Sequence, residues 1–114
     1  MDPRIVRAMA LDMPGTAEKE YFARPVFSVK KKTYLTVWID DQRVVLKLTL
    51  AQQAHYCAEE PDHFAPVATK LGKYGWTDVQ LDRINERVLR YVVDLAWRNV
   101  APKWLIQTRQ APPK

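Results

Sequence analysis

With a single cysteine, Cys57, the chain has no pair to close into an intramolecular disulfide, and this usage fits a reducing, cytoplasmic setting. No stretch is apolar enough to span a bilayer, and Met1-Asp2-Pro3-Arg4 lacks the apolar run of a signal peptide, so no membrane partner is expected. Glycine is scarce, with only three in 114 residues. Two of them, in Gly72-Lys73-Tyr74-Gly75, lack the Gly-Lys-Ser/Thr ending of a phosphate loop and precede a strand pattern rather than a helix. Gly75 therefore reads as a residue that supplies a turn conformation. Histidine is as sparse: His55 and His63 lie with Cys57 near Glu59, Glu60 and Asp62, but the spacing is no recognised ligand pattern. Cys57 falls on the apolar side of its helix, where a thiol is inert, and no Ser/His/Asp triad can be assembled. The expectation is a protein without catalytic residues, metal or cofactor, and not an enzyme.

What the chain does have is enough apolar material for an ordinary core. At this length a single domain buries roughly two-thirds of the surface its unfolded chain exposes, and residues 1–110 are expected to form one. Ala111-Pro112-Pro113-Lys114 has nothing to pack and is expected to fray. The net charge of +5 is unevenly placed: residues 1–82 carry 11 Lys/Arg and 11 Asp/Glu, whereas residues 83–114 carry 7 Lys/Arg against Glu86 and Asp94. A local basic excess suggests attraction to phosphate or acidic partners.

Hydrophobic periodicity gives the order helix, meander, helix, hairpin, helix. Asp2 caps a first helix opened by Pro3, with Ile5, Val6, Met9 and Ala10 at helical spacing until Met13-Pro14-Gly15 stops it. Three strands follow by alternation: Val26 to Lys30, Thr33 to Asp40 and Arg43 to Thr49, with turns at Lys30-Lys31-Lys32 and Asp40-Asp41-Gln42. Thr49 and Gln52 form a capping box for a second helix, whose inner face is Leu50, Ala54 and Cys57 and which Pro61 closes. In the hairpin strand that follows, Thr77, Val79 and Leu81 face the core and Trp76, Asp78 and Gln80 face away. A long last helix runs from an N-cap at Asp82 to about Val100. Its apolar arc exceeds half the circumference, leaving a narrow ridge of Arg83, Arg87, Arg90 and Arg98 with Asp94 among them. That ridge is either a phosphate-contacting surface or a solvated face with an Arg90 to Asp94 pair.

Leu11-Asp12-Met13-Pro14-Gly15-Thr16 with Glu18, Pro25-Val26-Phe27-Ser28-Val29, Leu46-Lys47-Leu48, Pro61 with Phe64 and Pro66, Gly75-Trp76 with Val79 and Leu81, and Pro102-Lys103 together resemble the YjbR/MmcQ family of small bacterial proteins. The resemblance runs in order along nearly the whole chain. It implies an α+β single domain, an antiparallel sheet with helices packed on one face, similar to CyaY-like and secretion-chaperone-like folds. It also implies a DNA-binding role through a double-wing arrangement. The chain departs from the family pattern at the first hairpin, where Lys30-Lys31-Lys32-Thr33 stands in place of a glycine before lysine. A two-residue turn would force lysine to positive φ at about 1 kcal/mol, so a longer or bulged loop is expected. Its three lysines form either a basic wing aimed at phosphates or a guard against edge pairing.

The same register puts Ser28, Lys30, Tyr34, Thr36, Trp38, Val45, Lys47, Thr49 and Trp76 on the sheet face away from the core. An aromatic and basic open sheet suits single-stranded nucleic acid, each stacked base contributing about 1–3 kcal/mol. The leading expectation is a DNA- or RNA-binding module in which Lys30, Lys31, Lys32, Lys47 and Lys73 contact phosphates, joined by Arg83, Arg87 and Arg90 of the ridge. Tyr34, Trp38 and Trp76 would stack on bases. The alternative is a protein-interaction or small-ligand module, self-association included, with the tryptophans packed on each other, under the segment containing Trp104, or across a dimer interface.

Overall fold

The structure is a computed structural model that describes residues 1–109. The tail expected at 111–114 lies outside the described residues. Elements follow in the order α1 (Pro3–Leu11), β1 (Thr16–Tyr21), β2 (Arg24–Val29), β3 (Lys32–Trp38), β4 (Arg43–Lys47), α2 (Leu50–Glu59), β5 (Phe64–Pro66), a 3₁₀ turn (Lys70–Tyr74), β6 (Trp76–Gln80), α3 (Glu86–Val100) and α4 (Lys103–Ile106). The strands form one antiparallel sheet in the order β1-β2-β3-β4-β6-β5. The fold is α+β, with the core on one face of this sheet. Phe27, Val29, Leu35, Val37, Val44, Leu46 and Val79 meet Val6, Met9 and Ala10 of α1 and Leu89, Val92, Val93, Ala96 and Trp97 of α3. Trp97 is fully buried and donates its indole N–H to the Pro14 carbonyl at 2.8 Å, so its one polar atom is satisfied.

Local chemistry accounts for the helix ends. Asp2 accepts from the Arg4 amide ahead of Pro3, and Thr49 with Gln52 makes both bonds of a capping box. The expected cap of α3 is corrected: Asp82 does not serve. Arg83 takes φ 59° and Ile84 turns into the core, so the helix begins three residues later, where Asn85 accepts from the amides of Arg87 and Val88.

Strand β1 has no counterpart in the sequence reading. Ala17-Glu18-Lys19-Glu20 shows no apolar alternation, because an edge strand has only one neighbour and mostly wet side chains. It pairs along its whole length with β2 through a two-residue turn, Phe22-Ala23, both at positive φ. The β2–β3 turn is a second correction. Val29 pairs directly with Lys32, and Lys30 and Lys31 both take positive φ, 50° and 68°. Lysine is therefore held in the tight turn that favours glycine and asparagine, because the buried residues flanking it fix both strand ends.

Tyr34 is a third correction. A bulge opposite Phe27 and Ser28 inserts one extra residue into β3, which breaks the alternation and leaves both Tyr34 and Leu35 buried on the helix side. The Tyr34 hydroxyl lies 3.1 Å from the Ala10 carbonyl and 2.9 Å from the Thr16 hydroxyl. Burial pushes its ionisation up to about 12. Tyr34 joins α1 to the sheet and offers no stacking surface.

The arginine ridge of α3 is also rearranged. Arg90 pairs with Glu86 at 3.0 Å, not with Asp94. Asp94 is fully buried and takes Arg98 at 2.5 Å and Arg109 at 2.7 Å, tying the helix to the chain beyond α4.

Candidate ligand groove on the open sheet face

The strand parity that sends Phe27, Val37, Val44 and Val79 inward sends Val26, Thr36, Trp38, Arg43, Val45, Trp76 and Asp78 outward. On that side they line an open groove of about 740 Å³. Both outer margins of the sheet reach it: Lys19 and Tyr21 from β1 at one, and Val67, Thr69 and Leu71 from the segment between β5 and β6 at the other. The outer face is thus concave, with an apolar floor centred on Val45, which the register sets between Thr36 and Asp78.

The wall formed by residues 67–71 is held by close backbone approach. A β-carbon on Gly72 would come within 2.1 Å of the Val67 carbonyl oxygen, and one on Gly75 within 1.8 Å of the Leu48 carbonyl oxygen. Gly75 also has φ 97°. Buried Gln53 of α2 secures the same wall, its amide nitrogen lying 3.1 Å from the Gly72 and Trp76 carbonyls and 3.2 Å from the Thr77 hydroxyl. Two N–H groups serve three acceptors, so one bond is shared.

Trp38 and Trp76 both belong to the groove and are half-buried, but they stand at opposite ends: Trp38 is opposite Arg43 and Trp76 opposite Lys47. Arg24 lies over the Trp38 ring at 3.5 Å and Arg43 at 4.1 Å. Arg43 is further tied to Asp78 and, at 3.5 Å, to Asp41. Among the described residues, the segment from Ala101 to Arg109 contributes nothing to the lining of this groove. Trp104 is 59% exposed, outside the groove, with the Lys30 ammonium 5.6 Å from its ring.

The remaining residues singled out from the sequence do not gather here. Lys30, Lys31 and Lys32 are exposed at the β2–β3 tip. Lys47 is tethered through its ammonium to the Tyr74 carbonyl, and Lys73 is exposed on the 3₁₀ turn. Arg87 and Arg90 belong to α3 in the helix layer, across the sheet from the groove, and Arg83 lies in the turn before that helix. Conversely, Lys19 and Tyr21 were missed with β1, Arg24 precedes the expected strand start at Val26, and Val67 and Leu71 sit in a loop and a 3₁₀ turn without strand periodicity. Arg43 was within reach, since Val45 and Lys47 already set its parity.

Around Cys57, burial pushes the thiol up from its ordinary value. His63 is engaged through Nε2 with the Asp82 carbonyl at 3.0 Å. Among the described residues no three His, Cys, Asp or Glu side chains converge as a metal-holding group, and no helix is long and apolar enough to cross a membrane.

The YjbR family model matches residues 11–99, which takes in everything from the end of α1 to the last turn of α3. The chain belongs to the YjbR family. The crystal structure of Deinococcus radiodurans protein DR2400, which carries a DUF419 domain, shares this YjbR fold with a TM-score of 0.75 at 23% identity, over 87% of this chain and 78% of that one. At that identity the likeness speaks for the fold alone. No curated protein matches the chain.

Proposed function

We propose that this YjbR domain is a non-catalytic binding module whose ligand lies in the concave outer face of the sheet. The observation that carries the reading is the groove itself. Its volume falls within the range of about 300–1,000 Å³ typical of small-molecule sites, and its floor is apolar with a few polar groups at the margins. An apolar surface left open and rimmed by polar residues is one of the marks of a ligand or interaction site. Titration with the neutral dye N-phenyl-1-naphthylamine, whose emission rises in apolar surroundings, tests this. Val45→Trp fills the floor without touching the core face and is expected to weaken dye binding by about tenfold or more while leaving thermal unfolding in place. Equal binding by the variant and the parent would sink the reading.

Nucleic-acid binding is the second reading, favoured by the exposed Lys30-Lys31-Lys32 tip. Against it, the cations named for it are spread over the tip, the 3₁₀ turn and the helix layer rather than along one track. If the tip grips phosphates, a labelled single-stranded oligonucleotide should bind with Kd of about 10⁻⁴ to 10⁻⁶ M at physiological salt and weaken steeply as salt rises. Absence of binding at low salt removes this reading.

A further inference from the structure

Arg24 and Arg43 flank the same indole yet are chemically unlike. Arg43 spends its donors on Asp78 and Asp41. Arg24 stacks closer, at 3.5 Å, and among the described residues its side chain has no hydrogen bond or ion pair. A guanidinium lying over an aromatic ring keeps its N–H edge free, and the stack fixes the plane in which that edge points. No side-chain nitrogen among the described residues is both buried and unpaired, so the free donors of Arg24 open to solvent.

Lys19 repeats the pattern. It stands opposite Val26 on β1, while Arg24 stands opposite Tyr21, so the two cations are diagonal neighbours on the outer face. Lys19 also lacks a carboxylate partner among the described residues. Both line the groove. Two carboxylates line it as well: Asp78 is consumed by Arg43, and Glu20 is exposed, so solvent screens its repulsion of an anion. From this cationic end the floor continues over Val26 and Val45 to Trp76 and Leu71 without another unpaired cation.

We propose that the groove takes a small organic anion: a carboxylate or sulfonate held in the fork of Arg24 with Lys19 beside it, and an apolar body lying along Val26 and Val45 toward Trp76. This rests on the groove reading above and names its ligand class. A planar acid group matches the guanidinium fork, which donates two parallel N–H bonds. The apolar floor selects against a phosphate-rich polymer, whose sugars and charges would be left without partners there.

Two dyes separate this inference from the reading beneath it. 1-Anilinonaphthalene-8-sulfonate has an aromatic body like that of N-phenyl-1-naphthylamine and adds one sulfonate. The parent protein is expected to prefer the sulfonate dye by about tenfold or more, as one charge-assisted pair allows. Arg24→Met and Lys19→Met, each at a side chain outside the core, should each reduce that preference several-fold, read as the ratio of the two dye affinities within one variant. Lys73→Met, outside the groove, should change neither. Neutral-dye binding without preference for the sulfonate, or a preference that survives both groove substitutions, overturns the anion inference and leaves the groove reading standing. Failure of both dyes to bind overturns the two together.

Discussion

Gly75→Ala is expected to destabilise the protein by about 2–5 kcal/mol, a large part of the margin of about 5–15 kcal/mol typical of folded domains. Two costs add. The residue at φ 97° must adopt backbone geometry that an L side chain resists, at about 1–2 kcal/mol. The new methyl would also lie 1.8 Å from the Leu48 carbonyl oxygen, a backbone atom that cannot swing aside, so β4 and the chain entering β6 must separate. Gly15→Ala is the internal comparison. Its φ is 70°, but its nearest obstacle, at 2.8 Å, is the tip of the Leu105 side chain, which can move, so about 1–2 kcal/mol is expected. Urea midpoints at constant m-value measure both. Equal losses for the two glycines would refute the steric account of the 67–75 wall.

Asp94→Ala is expected to cost about 2–4 kcal/mol. The carboxylate is out of water and receives two guanidiniums, and removing it takes this shared partner away from both. Breaking a buried pair by deleting one partner costs about 3–5 kcal/mol. Arg98 and Arg109 retain about a fifth to a quarter of their side-chain exposure, which lets water offset part of the loss. Thermal and urea unfolding of Asp94→Ala against Glu86→Ala test this. Glu86 makes an exposed helix pair with Arg90 of the kind that contributes about 0.3–0.5 kcal/mol. Similar losses for the two carboxylates would contradict the buried role of Asp94.

These two residues also mark where sequence reading succeeds and where it stops. Gly75 was legible as a turn requirement because glycine before an alternating strand has a local cause. Asp94 was misplaced because helical rotation gives only an angle. It set Asp94 among the arginines of the wet ridge, and the C-terminal segment that brings Arg109 over it is invisible to periodicity. Caps at Asp2 and Thr49, the strands that alternate cleanly, and the inward Val6, Met9 and Ala10 of α1 and Leu89, Val92 and Val93 of α3 follow from local rules, and with them most of the architecture. Bulges do not. One extra residue at Tyr34 turned an expected stacking ring into a buried strut.

The candidate site was legible in part. Parity alone put Trp38, Thr36, Val45 and Trp76 on a shared outer face, and that face forms the groove floor. Its rim was not foreseen, since Lys19 rides on an edge strand without an apolar signature, Arg24 opens β2 two residues ahead of the expected strand start at Val26, and the opposite wall is irregular chain fixed by backbone contacts. The basic residues were grouped by charge, but their elements diverge, leaving Arg87 and Lys31 on surfaces the groove does not reach.

The most direct test of the groove as the binding surface is a two-dimensional amide NMR titration with N-phenyl-1-naphthylamine. The largest shifts are expected at Val26, Thr36, Val45 and Leu71 and at the indole N–H groups of Trp38 and Trp76, with Arg87, Arg90 and Lys31 unmoved. Shifts concentrated on α3 or the Lys30-Lys31 turn, with Val45 and Trp76 silent, would contradict it.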